Sequence, residues 1–418
     1  MDSFLPFFVL LMLLVVGLGF FNEKVTKLTG EIALMLFSTV IGAVLLIVEV
    51  VTTQQPLTQV IQGIHGINLE SFLMDGVLCF MLFSGSCHMK LFDFRKQARG
   101  VAILSFLATF LGAVFYGLLF FAVSGLLGLG LSIPVCLMFG SIVAPTDPIA
   151  ATSILNKFGL PKDTSFLIEA ESLLNDGVGV AVFVCFSNLV TKAESEGFFT
   201  VLVRELFGAI LVGLIVTLVC YPVFSRTNDV MRRIFTSLFA VSAVYLLCEI
   251  FDFSGAIASV VCGVMFAYLR EYSEDKGAKW DMESYDAFWD VLDNLLNSIL
   301  YVILGLSFIY ILQMPKIMLV SLGAIVCNLI GRSGSVGICT FLMGKLPDGY
   351  GKWDFTKLLT WGGLRGGLCI ALAMSAKSML SEDMYRIILG GTCAVVFFTT
   401  IIQGLTMKKV YQRIEAYR

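Results

Sequence analysis

Long apolar runs alternate with short polar segments along almost the whole chain. Each run is close to the 20 or so predominantly apolar residues that one transmembrane helix needs. The runs are too long and too continuously apolar for the strands of a β-barrel, so they predict helices. We expect an all-α polytopic membrane protein with about 13 transmembrane helices. The predicted spans are residues 4–21, 31–52, 70–88, 100–124, 131–156, 164–190, 200–222, 233–250, 254–270, 287–311, 316–344, 355–379 and 384–406.

The composition agrees with a membrane protein. Of the 418 residues, 58% are hydrophobic and 14% are charged, and the mean hydropathy is +0.90. Soluble domains have about 25% charged residues. We therefore expect one transmembrane domain covering residues 1–418. Its first apolar run lacks the basic segment and cleavage site of a signal peptide, so that run is interpreted as a transmembrane helix.

Neither the cysteines nor the net charge indicates a cofactor or a nucleic-acid partner. The eleven cysteines lie singly, without a CxxC pair, and most stand within apolar runs, so we expect them to be packing residues. The net charge of −3 is too small to indicate a partner. The sequence has no Walker A motif, which favours an ion gradient over ATP as the energy source.

Basic residues concentrate in alternate loops. One set of loops holds 21 of the 28 lysines and arginines, whereas the loops between them hold five. The positive-inside rule places the rich set in the cytoplasm. The N-terminus is then outside and the C-terminus is inside, which requires an odd number of spans.

Predicted spans 5 and 6 carry three acidic residues deep within their apolar sequence. Asp147, Glu171 and Asp176 are flanked by apolar runs long enough to cross a bilayer. A charge at that depth costs from about 2.5 to more than 10 kcal/mol, so it must face a partner or a water-filled path. The default hypothesis is therefore ion or proton translocation.

Span 5 is interrupted beside one of these carboxylates. Asp147 stands between Pro145 and Pro148, and each proline removes a backbone donor and disrupts the preceding turn. Two prolines this close together predict a helix that breaks within the membrane. The freed carbonyls and the ends of the half-helices are suited to hold a cation.

Span 6 places polar side chains on two adjacent helical stripes. Ser172 and Asp176 are four residues apart, and so are Glu171 and Asn175. The first pair offers oxygen ligands to a hard cation. Glu171 is then free to pair with an arginine inside the membrane, and Arg332 in span 11 is the preferred partner.

Span 12 contains the second predicted break. Four glycines lie among residues 362–367, and each destabilises a helix by about 1 kcal/mol relative to alanine. Arg365 stands among them, so it and Arg332 are the natural counter-charges for the buried carboxylates. Spans 5 and 12 are seven apart and run in opposite directions. Two interrupted helices in matching positions predict an inverted repeat of spans 1–6 and 8–13, with the site at its interface.

Together these motifs resemble those of the monovalent cation/proton antiporters, specifically the sodium/proton exchangers of the NhaP type and their animal relatives. The likeness covers nearly the whole chain. The residues that carry it are Pro145-Thr146-Asp147-Pro148, Glu171-Ser172-Leu173-Leu174-Asn175-Asp176-Gly177, Arg332, Gly362-Gly363-Leu364-Arg365-Gly366, and Phe288-Trp289-Asp290 with Asn297 and Gly305.

The resemblance implies which residues bind the transported ions. In that family the aspartate that matches Asp176 alternately carries a cation or protons. Residues that match Thr146, Asp147 and Ser172 complete the site. The resemblance therefore implies sodium bound at Asp147, Ser172 and Asp176.

The same resemblance gives roles to the remaining motif residues. The glutamate that matches Glu171 forms a structural ion pair with the arginine that matches Arg332, and Arg365 has a supporting position. An Asn-Asp pair, here Asn175-Asp176, marks the electroneutral branch of the family. We therefore expect exchange without net movement of charge.

The resemblance also implies a homodimer whose protomers have two parts. A core transport bundle, residues 99–190 and 316–406, would move against an interface part, residues 1–98 and 200–311. The short tail after the last span favours a protein of the prokaryotic plasma membrane.

One position departs from the family pattern. Near the end of span 3 the family often carries an acidic residue after Leu-Phe, whereas Ser84 stands there in this chain. Asp75, earlier in the same span, is expected nearer the outer surface. The departure bears on cation selectivity, so it leaves the choice between sodium and potassium open.

The leading hypothesis is secondary active antiport of sodium (or lithium) for protons by alternating access. If Asp176 binds either a cation or a proton and cannot cross empty, movement of one ion drives the other. This competition alone would make transport depend on pH. The alternatives are a potassium/proton antiporter, a cation channel, and an intramembrane aspartyl protease using Asp147 and Asp176. The sequence lacks a carbonyl filter motif for a channel, and arginines with broken helices fit the protease poorly.

Overall fold

The computed structural model describes residues 4–52, 77–89, 91–147, 155, 159–191, 198–276, 280, 282–312 and 317–416. Every regular element within these ranges is helical, and none is a strand. A helix satisfies its backbone hydrogen bonds within one segment, which is why apolar runs of this length adopt it in lipid. The all-α prediction is confirmed.

The helices follow the predicted spans along the chain. The first half contains α1 (Phe4–Phe21), α2 (Gly30–Val51), α3 (Leu78–Cys87), α4 (Leu91–Ala102), α5 (Thr109–Leu126), α6 (Ile133–Ile142) and α7 (Lys162–Thr191). The second half contains α8 (Phe198–Arg226), α9 (Val230–Ile250), α10 (Gly255–Asp275), α11 (Glu283–Leu312), α12 (Ile317–Met343), α13 (Lys352–Trp361), α14 (Gly367–Ser375), α15 (Glu382–Phe397) and α16 (Gly404–Ala416). Segments of π-helix extend α1 over Asn22–Thr26, join α4 to α5 over Ile103–Ala108, and join α15 to α16 over Phe398–Gln403.

Most of these helices are long enough to cross a membrane. Within the described ranges, nine helices or joined helices have the length and apolar composition of a membrane span. Three shorter apolar helices, which include α3, α6 and α14, lie in predicted spans 3, 5 and 12. A polytopic membrane protein is thus confirmed. The count of thirteen stays a prediction, because the start of span 3 lies outside the described residues.

Helical structure ends at both predicted breaks, although residues 148–154 of span 5 lie outside the described residues. Residues 143–147 follow α6 without helical structure, and residues 362–366 separate α13 from α14 in the same way. The backbone N–H of Asp147 donates to the carbonyl oxygen of Leu364 at 2.8 Å, so the two breaks are in direct contact. The crossing of the complete spans and the inverted repeat remain predictions.

Helix α7 is the central element around which the breaks are arranged. It is buried along most of its length and packs against α6 and α10. A Cβ atom at Gly179 of α7 would lie 2.5 Å from the ring of Pro145, so the absence of a side chain lets α7 approach the first break. A Cβ atom at Gly140 of α6 would overlap the backbone of α5. Small residues allow membrane helices to pack this closely, and here they hold the break against α7.

The cysteines are packing residues in this bundle. All eleven are buried, and none forms a disulfide. Their placement agrees with the role predicted from their apolar surroundings.

Candidate functional site

A cavity of about 70 Å³ lies beside the two helix breaks. Its apolar walls come largely from α3 and α14. Among the described residues that line it, none is a lysine, arginine or histidine. Its polar lining consists of Thr146, Asp147, Asp176, Asp293 and Asn297. The cavity is therefore an acidic pocket in an otherwise apolar bundle, and it brings three of the predicted site residues together.

The first break is attached to α7 by a small polar network. The backbone N–H of Thr146 donates to Oδ1 of Asn175 at 3.0 Å, and Nδ2 of Asn175 donates to the hydroxyl of Thr146 at 2.7 Å. The hydroxyls of Thr146 and Ser172 are 2.8 Å apart, within hydrogen-bonding distance. All three residues are buried. Asn175 therefore serves as a substitute for the backbone partners that the broken helix has lost.

The deepest carboxylate is neutralised by an arginine. Arg332 donates from Nη1 to Oε1 of Glu171 at 3.0 Å and from Nη2 to Oε2 at 3.2 Å, and both residues are buried. Nδ2 of Asn175 adds a third bond to Glu171 at 2.9 Å. A two-pronged pair of this kind is stronger than a single contact and fixes the orientation of both side chains. Glu171 is thus held in place by α12 and does not line the cavity.

Arg365 has a different set of contacts from the expected one. Its guanidinium donates to the carbonyl oxygens of Ala144 and Pro145, the latter at 2.9 Å, and to Oδ1 of Asn328 at 2.9 Å. These hydrogen bonds are to carbonyl groups rather than to a carboxylate. The reason is local, since non-helical residues inside the bundle leave backbone carbonyls without the partners that a helix would supply. Arg365 in the second break therefore binds backbone carbonyls of the first break.

The two remaining aspartates face the cavity. Asp147 and Asp176 both line it and are only partly buried. Oδ2 of Asp147 accepts a hydrogen bond from the hydroxyl of Tyr301 on α11 at 2.5 Å. A Cβ atom at position 366 would lie 2.7 Å from the same oxygen, so Gly366 makes room for this carboxylate.

The cavity offers oxygen ligands to a small cation. Carboxylates and hydroxyls are the donors that hard cations prefer. The carboxylates of Asp147 and Asp176 line the cavity directly, and the hydroxyl of Ser172 lies behind that of Thr146. Within the part of the chain that the structure describes, no group of three or more His, Cys, Asp or Glu side chains forms a metal cluster. A cation here would thus depend on two carboxylates and on neighbouring neutral oxygens.

Two functional candidates on α11 were missed from the sequence. Tyr301 contacts Asp147, and Asp293 lines the cavity with Asn297. Their spacing in the sequence could have indicated them. Asp293, Asn297 and Tyr301 follow one another at intervals of four residues on a largely apolar helix, so they lie on one face of it. A stripe of this kind on one face of a membrane helix indicates a polar path or site.

Ser84, the position that departs from the family pattern, lies beside the cavity rather than in it. Its hydroxyl is buried and donates to the backbone carbonyl of Trp289 at 3.0 Å. Its neighbours Leu82 and Gly85 line the cavity. Asp75 lies outside the described residues. The serine therefore joins α3 to α11 and leaves the acidic lining to other helices.

Comparison with known proteins places the chain in a family. The family model described as "Sodium/hydrogen exchanger, transmembrane" matches residues 10–413. The chain is 28% identical to the Na(+)/H(+) antiporter NhaP of Pseudomonas aeruginosa over 84% of this chain and 83% of that protein. It is 33% identical to the Na(+)/H(+) antiporter NhaH of Halobacillus aidingensis, over 78% of this chain and 77% of that protein.

The fold is also similar to a solved structure. The sodium proton antiporter MjNhaP1 from Methanocaldococcus jannaschii at pH 8 matches with a TM-score of 0.77 and 19% identity, and the match covers 99% of each chain. At this identity the match supports the fold alone. The family model, which spans nearly the whole sequence, confirms the resemblance that the motifs indicated. The chain belongs to the sodium/hydrogen exchanger family.

Proposed function

We propose that this protein exchanges sodium for protons across the membrane by alternating access, and that Asp176 is the group for which the two ions compete. The relatives named above are sodium/proton antiporters, which favours sodium over the potassium alternative. The family is a transporter family, so neither the channel nor the protease alternative has an observation in its favour.

The observation that carries this proposal is the division of the buried carboxylates into two kinds. Glu171 is neutralised by Arg332 and lies away from the cavity. Asp147 and Asp176 line an acidic cavity at the contact between two helix breaks. Two carboxylates in one apolar pocket are costly when both are charged and empty. A bound cation or proton lowers that cost, so the site would change sides far more readily when it is loaded.

Competition at one group accounts for both coupling and pH dependence. If Asp176 holds either sodium or a proton, the ion that leaves must be replaced before the site returns. Protons then act as competitors of sodium, so the apparent KM for sodium should rise as the pH falls. Asn175 beside Asp176 is neutral, which supports exchange of one sodium for one proton without net charge.

Several features of the wider arrangement belong to the same proposal. We expect residues 99–190 and 316–406 to move as a core against residues 1–98 and 200–311. The hydrogen bond between Tyr301 and Asp147 joins these two parts in the conformation described here. We also expect the protein to form a homodimer in a prokaryotic plasma membrane. Its N-terminus would lie outside and its C-terminus in the cytoplasm. Lithium is an expected second substrate.

Proton flux in proteoliposomes tests the proposal. A pH gradient would be imposed across vesicles containing a pH-sensitive dye, and sodium, lithium or potassium would then be added at pH values from about 6 to 9. We expect sodium and lithium to dissipate the gradient with the wild type and not with Asp176→Asn. The matched control is Asp383→Asn, the same change at an exposed aspartate that does not line the cavity.

The outcomes separate the alternatives. Dissipation of the pH gradient by potassium alone would support the same exchange mechanism with potassium, instead of sodium, as the transported cation. Transport that persists in Asp176→Asn would place the exchanged ions at another residue. No response of the wild type to any of the three cations would overturn the antiport proposal.

A further inference from the structure

Helix α11 carries a continuous polar stripe that leads to the site. Asp286, Asp290, Asp293, Asn297 and Tyr301 are separated by four, three, four and four residues, so they share one face of the helix. At a rise of about 1.5 Å per residue the stripe covers roughly 22 Å of the helix axis. Exposure falls from Asp290 onward, because the Asp290 side chain is 66% exposed whereas Asp293 is 7% exposed and Tyr301 is 1% exposed.

The burial and the basic partners of the acidic residues change at Asp293. Before it, Asp286 is paired with Arg270, whose guanidinium donates to both carboxylate oxygens at 2.7 and 3.1 Å. Nε2 of His88 lies 3.4 Å from the same carboxylate. Asp290, one turn further, is largely exposed. Asp293 is therefore the first acidic residue of the stripe that is buried and has no basic residue in hydrogen-bonding contact.

Asp293 faces the same cavity as the proposed exchange site. It lines the cavity together with Asp147 and Asp176. Among the described residues, its carboxylate accepts one side-chain hydrogen bond, a long contact of 3.3 Å from Nδ2 of Asn297. One helical turn beyond Asn297, the hydroxyl of Tyr301 reaches Asp147. Asp293 precedes Tyr301 by eight residues, about 12 Å along the helix axis, so it lies nearer the exposed end of the stripe than the contact with Asp147.

A buried carboxylate with one amide partner is incompletely compensated. Of the described residues that line the cavity, none brings a basic side chain to it. The ligand that suits this position is a small monovalent cation that still carries part of its water shell, because the cavity walls provide few other oxygen atoms.

We propose that Asp293 is an intermediate cation-binding position on the path along α11, where a sodium ion is held before it reaches Asp147 and Asp176. This inference rests on the proposed sodium/proton exchange. It assigns Asp293 to cation capture and leaves the exchange with protons to Asp176. An acidic residue in a low-dielectric pocket concentrates cations locally and accelerates their arrival.

The test is the sodium dependence of transport in proteoliposomes containing the full chain. Asp293→Asn keeps the shape of the side chain and removes its charge. We expect the apparent KM for sodium to rise on the order of tenfold with kcat changed less than about twofold, since the charge acts on capture rather than on exchange. Asp293→Glu restores the carboxylate and should bring the KM back towards the wild-type value. Asp383→Asn, the same charge change at an exposed aspartate that lies neither on the stripe nor in the cavity lining, should leave the KM unchanged.

Other results would overturn the inference. A wild-type KM in Asp293→Asn would show that the carboxylate does not take part in capture. A fall in kcat with unchanged KM, or an equal effect of Asp383→Asn, would show a structural or non-specific role. If Asp293→Asn does not fold, Asp293→Ser provides a second neutral variant and must raise the KM in the same way. Failure of the wild type to respond to sodium would overturn the proposed function instead, so the two failures are distinguishable.

Discussion

The hydrogen bond from Tyr301 to Asp147 is a direct link between the two parts that we expect to move. Tyr301 belongs to α11 in the interface part, and Asp147 belongs to the break in the core. Movement of the core would separate the two residues. Tyr301→Phe removes the hydroxyl alone, and because the ring is 1% exposed its packing should be retained.

The size of the effect follows from the kind of bond. A hydrogen bond to a charged group contributes about 1.5–3 kcal/mol net of the water that replaces it. If the bond is present in the described conformation and absent in the other, the variant changes their ratio by that amount. Since about 1.4 kcal/mol is a factor of ten, the population ratio should fall by about 10-fold to 150-fold against the described conformation.

Distances between spin labels would measure this ratio. Lys357→Cys on α13 and Arg232→Cys on α9 would carry the labels, because both side chains are well exposed and lie in different parts. The eleven native cysteines are buried, so labelling should favour the introduced sites. We expect two distance populations whose ratio shifts in Tyr301→Phe. The matched control is Tyr285→Phe, which removes a hydroxyl from a buried tyrosine on the same helix away from the cavity.

A ratio that differs from the wild type by less than twofold would refute this reasoning. It would mean that the bond persists in both conformations or that α11 moves together with the core. A shift of equal size in Tyr285→Phe would indicate general loosening of α11 rather than loss of one bond.

Two further substitutions probe the ion pair and the helix break. Glu171→Gln leaves the buried guanidinium of Arg332 without its carboxylate, so the protein should lose about 3–5 kcal/mol of stability, measured as a lower unfolding temperature in detergent. Gly179→Ala would place a methyl group 2.5 Å from the ring of Pro145. The break must then move relative to α7, and we expect sodium-driven proton flux to fall by more than about tenfold while the folded protein persists.

Each of these substitutions has a matched control. Glu382→Gln breaks an ion pair with Arg386 that is largely exposed, and it should cost less than about 1 kcal/mol. Gly17→Ala adds a methyl group where nothing lies within 4 Å, so transport should be unchanged. Equal effects in a variant and its control would contradict the corresponding prediction.

Local sequence signals predicted much of this site because they act over a few residues. Proline around Asp147 and glycine around Arg365 disfavour a helix wherever they stand, so both breaks could be located without knowledge of the fold. The four-residue spacing from Glu171 to Asn175 requires one helical stripe, and the structure contains their hydrogen bond. Burial of a charge requires a counter-charge, which left two arginines as candidates for Glu171.

Contacts that depend on helix register could not be predicted in this way. Arg365 was expected to balance a carboxylate, but it caps the carbonyls of Ala144 and Pro145, because the two breaks happen to meet at that depth. Tyr301 reaches Asp147 only because α11 is positioned beside the first break. Neither position carries a local signal for its partner. The polar stripe on α11 was missed as well, because four-residue spacing alone does not show which helix face is directed towards the cavity.

The contacts of the two arginines explain how the broken helices can be held rigidly while the cavity stays open to a cation. A cation site needs carboxylates that are free to bind, yet a broken helix needs strong bonds that hold its ends. In this chain Arg332 neutralises Glu171, and Arg365 binds the carbonyls at the break. Neither guanidinium lines the cavity, so neither competes there with a cation. Rigidity is provided by buried pairs behind the breaks, and Asp147 and Asp176 are left facing the cavity.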